Sequence, residues 1–416
     1  MKSGYGKTYH RYIEDFISFL VPGGKRILRV EVEDEGRIAL STGAYDYIIL
    51  SDVLGRVYDV QALLISIRGL TLPESRLIIT QYSALWEPIL RLASFLKLRS
   101  PNSEQNWLSA GDIVNFLTLA DFEVVTMGRK LLLPVYVPLL SALLNRYIAQ
   151  IPLINRLCLV NYFVARSRPT LNHRAHNPSV SIVIPARNEA GTIQRIIDEL
   201  PALGAFTELI FIEGNSSDHT RAEIEKRVAK YRGSQRLLWS VQSGRGKGDA
   251  VRKGFAMATG DVLMIYDADM TVPASEIQRF YSAITESRGE FINGSRLVYP
   301  MEKESMRLLN FIANKCFGIL FSWILGQRLK DTLCGTKVLW RADYADIIAG
   351  RSFFGDFDPF GDFDLLFGAA KLNKKIVDLP VHYKERTYGS TNISRFSHGW
   401  LLLKMVIFAA RKIKFR

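Results

Sequence analysis

Residues 386–416 contain no aspartate or glutamate, in a chain whose 54 lysines and arginines already outnumber its 41 acidic residues. The net charge of +13 calls for an anionic partner: nucleotide phosphates, anionic lipid headgroups or nucleic acid. No basic stripe interleaved with stacking aromatics is present, which argues against nucleic acid. Cysteine is scarce. Cys158, Cys316 and Cys334 lie far apart without metal-ligand spacing, which excludes a disulfide framework and fits reduced thiols in a cytosolic setting. His219, His382 and His398 also lack metal spacing and read as surface or core residues. No uninterrupted apolar run reaches the roughly 20 residues of a membrane span. Residues 1–21 mix charged side chains among apolar ones and so show no signal-peptide core. Repeats and low-complexity segments are absent as well.

What is present is a globular composition, 48% hydrophobic and 23% charged, over 416 residues. That is room for two domains at roughly 150 residues each. Three stretches are strongly apolar. Residues 131–165 are interrupted by Pro134, Pro138, Pro152, Arg146 and Arg156 and are expected in a core. Residues 308–325 would place Asn310, Asn314 and Ser322 on one polar stripe of an apolar helix. Residues 400–410 are followed by Arg411, Lys412, Lys414 and Arg416. The last two stretches read either as packing helices or as helices on an anionic membrane face. Residues 391–416 are accordingly assigned as a basic amphipathic membrane-surface tail. The polar, proline-flanked residues 169–178 read as a linker between a first domain, 1–168, and a second, 179–390.

In the second domain, apolar runs at 180–185, 209–212, 237–241 and 262–265 alternate with helical stretches at 190–200, 217–231 and 251–257. This alternation predicts a mainly parallel sheet with ligands at the C-terminal ends of its strands. The candidate residues fall at those ends. Pro185-Ala186-Arg187-Asn188-Glu189 can offer backbone groups and two polar side chains to a base and ribose. Glu213 can accept from ribose hydroxyls or a base N–H, while Ser216 to Asp218 suit a helix cap. Gly244-Arg245-Gly246-Lys247-Gly248 is a basic, glycine-rich turn able to approach phosphate closely, although Lys247 also fits a solvated turn. Tyr266-Asp267-Ala268-Asp269 then places two carboxylates behind a buried strand. Such hard oxygen ligands suit Mg2+ or Mn2+ holding a nucleoside diphosphate.

These loops, in this order, resemble the family 2 glycosyltransferases, which have a GT-A α/β nucleotide-diphospho-sugar fold. The resemblance is strongest to the branch that moves a hexose onto a polyprenyl phosphate, such as the dolichyl-phosphate mannose and glucose synthases. It covers roughly residues 179–416 and extends past the carboxylates. Gly294-Ser295-Arg296 is similar to the family's arginine loop, and Asp331-Thr332-Leu333-Cys334-Gly335-Thr336-Lys337 to its D-T-x-C-G-x-K segment. Gly361-Asp362-Phe363-Asp364 stands where the family has an acidic acceptor-side motif, and Arg386-Thr387-Tyr388-Gly389-Ser390 resembles its phosphate-contacting turn.

The resemblance implies that Pro185, Ala186, Arg187, Asn188, Glu189, Glu213, Gly246, Lys247, Asp267, Ala268 and Arg296 contact the nucleotide sugar. It puts the metal on Asp267 and Asp269, and Asp331, Cys334, Gly335, Lys337, Arg386 and Ser390 on the acceptor side. Catalysis would fall to Asp267, Asp269, Arg386, Asp362 and Asp364. The two last also read as structural, and a base is needed only if the acceptor is a hydroxyl. Gly214 and Asn215 stand where many relatives carry Asp and Gly, and Thr271 where some have a Gln metal ligand. The implied activity is an inverting, metal-dependent transfer from UDP-glucose or GDP-mannose, by a protein peripheral to the inner face of the cell membrane. A glycan or soluble hydroxyl acceptor, and an inert nucleotide-binding regulator, are the alternatives.

The first domain also reads as α/β. Tyr45-Asp46-Tyr47-Ile48-Ile49-Leu50-Ser51-Asp52-Val53-Leu54 and residues 116–125 resemble strand-and-loop passages of class I S-adenosylmethionine methyltransferases. The glycine-rich loop of that family is missing. Val30 is followed by Glu31-Val32-Glu33-Asp34-Glu35, and only about 15 residues separate it from Asp46. The resemblance therefore implies a shortened, Rossmann-like domain that no longer binds S-adenosylmethionine and serves as scaffold, regulator or partner site. An active methyltransferase in a bifunctional enzyme is the alternative.

Overall fold

A computed structural model describes residues 4–30, 43–96, 106–168, 174, 176–300, 308–355, 361, 363–389 and 395–416. Asp362, Ser390 and the Glu31–Glu35 run lie outside them. The chain divides into two compact units, Met1–Pro169 with Ile413–Arg416, and Thr170–Lys412.

The first unit is built on a five-stranded sheet of order β1-β2-β3-β5-β4. Its strands are β1 Ile27–Val30, β2 Tyr45–Ser51, β3 Thr71–Tyr82, β4 Phe122–Lys130 and β5 Val160–Ser167. β1, β2 and β3 run parallel, and β5 is antiparallel to both β3 and β4. Each face of the sheet carries its own apolar cluster, one around Ile48, Leu64 and Leu117 and the other around Ile13, Ile78 and Val164. The expectation that residues 131–165 form core holds only at their ends, where Leu131, Val160, Phe163 and Val164 are buried. Between them the short helices Leu140–Arg146 and Pro152–Asn155 expose Leu139, Leu143 and Leu153. Pro134, Pro138 and Pro152 lack the N–H a strand ladder needs, so this segment leaves the sheet. Lys130 Nζ and Arg146 Nε donate to the carbonyls of Arg416 and Phe415 at 3.1 and 2.7 Å. Residues 413–416 thus group with the first unit, whereas the helix Arg395–Ala409 groups with the second.

The second unit holds a seven-stranded sheet of order β12-β10-β11-β9-β6-β7-β8. These are β6 Val180–Ala186, β7 Thr207–Glu213, β8 Arg236–Val241, β9 Val262–Ile265, β10 Phe291–Ser295, β11 Lys337–Trp340 and β12 Ile376–Pro380. β9, β6, β7 and β8 run parallel, as the alternating pattern predicts. β6, β7 and β9 read as near-continuous apolar runs because both faces are covered. β11 is antiparallel to β9 and β10, a reversal the sequence pattern does not announce. That reversal matters for the site. Pairing of Lys337 with Ile265 makes the residues entering β11 meet the residues leaving β9. Pairing of Ser295 with Pro380 brings the exits of β10 and β12 to the same edge.

Behind the sheet, two cations and two carboxylates form a buried cluster. Asp343 accepts from Arg174 at 2.8 and 3.2 Å and from Lys374 at 2.6 Å, and Glu290 lies 3.8 Å from Lys374. The cluster is charge-balanced, so removing one member leaves an uncompensated charge in a poorly hydrated place. Asp343→Ala is expected to destabilise the second unit by about 3–5 kcal/mol in a denaturant titration, whereas an exposed pair such as Arg221 and Glu225 should contribute under about 1 kcal/mol.

Candidate active site

The strand β9 ends at Ile265, and the next five residues turn sharply, with Met270 at a φ of +54°. This turn displays Asp267 and Asp269 at the sheet edge. Each carboxylate is met by a cation. Lys247 Nζ lies 2.7 Å from Asp267 Oδ1, and Arg386 Nη2 donates to Asp269 Oδ2 at 2.8 Å. Burial works to raise the Asp267 carboxyl, but Lys247, with Lys337 and Arg296 behind it, holds it below the usual carboxylate range. Thr271 donates to Asp269 Oδ1 from its backbone N–H and its hydroxyl, at 3.1 and 2.9 Å. It orients the carboxylate rather than standing beside it as a further ligand.

Two glycines make this approach possible. Lys247 opens the helix Lys247–Met257, and Gly246 before it has a φ of +82°, in the left-handed region that favours glycine. Gly335 enters β11 directly against the carboxylate. A Cβ there would lie 1.9 Å from Asp267 Oδ2 and 2.4 Å from Lys247 Nζ. Its lack of a side chain lets the Asp267 carboxylate and the Lys247 ammonium pack against the backbone.

Arg386 is shared. Its Nη1 donates to Glu189 Oε1 at 2.5 Å, so the turn after β12 is tied both to the loop after β6 and to the carboxylate pair. Burial pushes the Glu189 carboxyl up to about 7 against the pull of Arg386. The neighbouring loops are braced on one another. Asn188, at a φ of +58°, accepts from the Ser217 N–H at 2.8 Å, and Glu213 accepts from the Ser216 N–H at 2.6 Å. The Ala186 carbonyl accepts from Gly214 at 2.8 Å, and Asp218 accepts from the Thr220 N–H at 2.9 Å, although the N-cap position of the helix Thr220–Lys230 falls on His219. Pro185 is half-buried, Ala268 is buried, and Arg187 is exposed at the rim.

This edge gathers the loops in the order expected from the sequence, and comparison with known proteins gives the family. The family model described as "Glycosyl transferase family 2" matches residues 181–344. A glycosyltransferase named AglJ, from Haloferax volcanii, is 30% identical over 227 residues, covering 54% of this chain and 69% of its own. The chain belongs to the family 2 glycosyltransferases. A dolichyl-phosphate beta-glucosyltransferase of Saccharomyces cerevisiae is 26% identical over 251 residues, covering 53% of this chain and 72% of its own. A crystal structure of glucosyl-3-phosphoglycerate synthase from Mycobacterium tuberculosis with phosphoglyceric acid is 19% identical, with a TM-score of 0.41 over 57% of this chain and 80% of that one.

The glycosyltransferase's remaining sequence-predicted residues divide into two groups. Arg296 is drawn into a buried fork with Asp331, its Nε and Nη2 donating at 2.7 and 3.0 Å and its backbone N–H at 3.1 Å. Burial opposes the charge of both partners, and their attraction outweighs it, keeping Arg296 protonated and Asp331 ionised. With that geometry Arg296 shapes the wall behind Asp267 instead of reaching out as a phosphate clamp, and Asp331 is spent on holding it. Cys334 is buried, its thiol pushed up to about 11 by burial, and Lys337 Nζ donates to its carbonyl at 2.5 Å. Asp364 lies apart from the carboxylate pair in its bonding, 3.3 Å from Arg351 and 3.8 Å from Arg252, beside a small cavity lined by Val251, Tyr344 and Phe354.

Sequence reasoning missed one constellation. His382, read as a surface or core residue, stacks on Tyr299 with ring centroids 4.3 Å apart, and its Nδ1 lies 2.7 Å from Glu276. The signal was Tyr299 closing the arginine loop, but no spacing rule links it to a histidine so distant in sequence. Gly335→Ala is expected to lower transfer by at least about tenfold, because a misplaced carboxylate loses orientation, with little change in thermal midpoint. A rate equal to the unmodified enzyme's would show that the close approach is not used.

Proposed function

We propose that the chain moves a hexose from a nucleotide sugar of the UDP-glucose or GDP-mannose type onto a polyprenyl phosphate at a membrane surface, with inversion at the anomeric carbon. The observation that carries this reading is Arg386, which reaches Asp269 at 2.8 Å and so puts a guanidinium where donor and acceptor phosphates would meet. Guanidinium is the group of choice for phosphate because it can bind two oxygens at once. The printed name of the yeast relative, a dolichyl-phosphate glucosyltransferase, points the same way.

Among the described residues no cluster of three or more acidic, histidine or cysteine side chains forms a closed metal cage. Asp267 and Asp269 would hold a cation such as Mg2+ or Mn2+, because hard carboxylate oxygens at the end of one strand are the donors such ions favour. When bound, that cation supplies charge stabilisation to the departing diphosphate. A cation held by Asp267 and Asp269 would take over the balancing of their charge, and Lys247 and Arg386 would then be able to pair with phosphate oxygens. A phosphate-monoester acceptor is already anionic and needs no general base. The engagement of Asp364 by Arg351 and Arg252 is consistent with that, and a hydroxyl acceptor would need a base.

Membrane association is expected through the helix pair Leu308–Leu325 and Arg395–Ala409, which pack together in the second unit. Their outer faces expose Ile312, Ile319, Trp400, Leu403 and Ile407, with Lys315 and Lys404 lying over Phe311 and Trp400. No described helix is long and apolar enough to cross a membrane. Such a face suits peripheral attachment to an anionic leaflet, and the inner face of the cell membrane is part of this reading. The first unit is read as the shortened methyltransferase-like scaffold, without S-adenosylmethionine.

Asp269→Ala is expected to abolish metal-stimulated transfer, a loss of about a hundredfold or more, with the circular dichroism spectrum unchanged. EDTA should do the same to the unmodified enzyme, and Mn2+ should restore it. Activity retained by the variant would remove the carboxylate pair as the cation site.

A further inference from the structure

The first unit carries a surface whose polarity is inverted. In the helix Glu87–Phe95 no residue is buried. Ile89 and Leu92, with Leu96 just past its end, recur along one exposed side, and Phe95 beside them is 83% exposed. Residues 136–157 add Leu139 at 89% and Leu153 at 75% exposed. The Trp86 indole N–H donates to the Leu157 carbonyl at 2.9 Å, which joins the two segments into one surface.

These leucines are displayed by an ordered frame. The Ser141 hydroxyl donates to the Val135 carbonyl and accepts from the Val137 N–H, both at 2.7 Å. The Asn145 amide bonds the N–H and the carbonyl of Leu133, each at 2.8 Å, and Asn155 donates to the Ala149 carbonyl at 2.7 Å. Polar side chains therefore satisfy the backbone from inside while the large apolar ones face outward, opposite to the usual partition in water. The charge is one-sided as well. There is no aspartate or glutamate anywhere in residues 124–188. Glu87 is paired with Arg91 at 2.5 Å, and Arg146 and Arg156 are exposed at the patch.

We propose that this surface seats the first unit in the interfacial layer of an anionic lipid bilayer. Apolar side chains would enter the boundary between headgroups and acyl chains, and the arginines would meet lipid phosphates. The site is distinct from the helix pair of the second unit and does not depend on the transferase reading. A protein partner of the same area would have to be apolar and acidic, and nothing else in the unit calls for one.

The test is sedimentation of the full chain with vesicles of phosphatidylcholine alone or with phosphatidylglycerol. It compares the unmodified protein with Leu92→Glu/Phe95→Glu/Leu139→Glu/Leu153→Glu. Both are also made in a Trp400→Glu/Leu403→Glu background, so that the second unit's helices do not mask the effect. Because the substituted side chains are exposed, the thermal midpoint should not move. A second readout is Phe95→Cys carrying an environment-sensitive dye, which should shift to the blue on anionic vesicles and be quenched by brominated lipid. The expected result is a loss of partitioning of about tenfold or more in either background, greater on anionic than on neutral vesicles. Unchanged partitioning with an unshifted dye would overturn the proposal. So would a self-association that the four substitutions abolish while vesicle binding persists.

Discussion

The carboxylate pair Asp267 and Asp269 is the constraint on which the second unit's architecture turns. Two like charges at the edge of an apolar sheet are costly unless each is met by a cation. Lys247 and Arg386 meet them at 2.7 and 2.8 Å from opposite sides. Lys247 can do so because Gly246 turns the chain into its helix, and because Gly335 withholds a side chain. Arg386 can do so because β12 runs parallel to β10 and leaves the sheet at the same edge. The buried Arg296–Asp331 fork then stiffens the wall against which Asp267 rests. On the proposed reading, the cations that balance these carboxylates are also the ones a diphosphate would need.

Much of this was legible in the sequence because it is local. The runs that become β6, β7 and β9 are mostly apolar, and their C-terminal ends carry the polar loops. A period and a punctuation mark were enough to place Glu189, Glu213 and Asp267. Lys247 was harder, since a basic residue in a glycine-rich turn has the same appearance solvated or engaged. What sequence could not give is the antiparallel insertion of β11, because strand direction leaves no mark on a strand as short as Lys337–Trp340. Without it, Gly335 has no reason to lie against Asp267, and Arg296 no reason to pair with Asp331 rather than reach for phosphate. Asp364 read equally as structural or acceptor-side, and its pairing with Arg351 and with the more distant Arg252 is not visible in the sequence.

Residues 131–165 give the opposite lesson. Hydrophobicity alone predicted core, yet the prolines eject the middle of the segment from the sheet, and serine and asparagine side chains take over its backbone hydrogen bonds. An apolar segment that satisfies its backbone from within and shows its leucines outside is built for a boundary rather than for an interior. On the proposals made above, the two units would meet lipid by different means, one through a helix pair and the other through an irregular frame.

The most direct measurement is the identity of the acceptor. The full chain, with Mn2+ and a panel of radiolabelled nucleotide sugars, would be given undecaprenyl or dolichyl phosphate, the corresponding free polyprenols, and soluble hydroxyl acceptors. The account predicts label in the organic phase only with the polyprenyl phosphates, with the anomeric configuration inverted relative to the donor. Equal transfer to the free polyprenols, or transfer to a soluble hydroxyl alone, would contradict it.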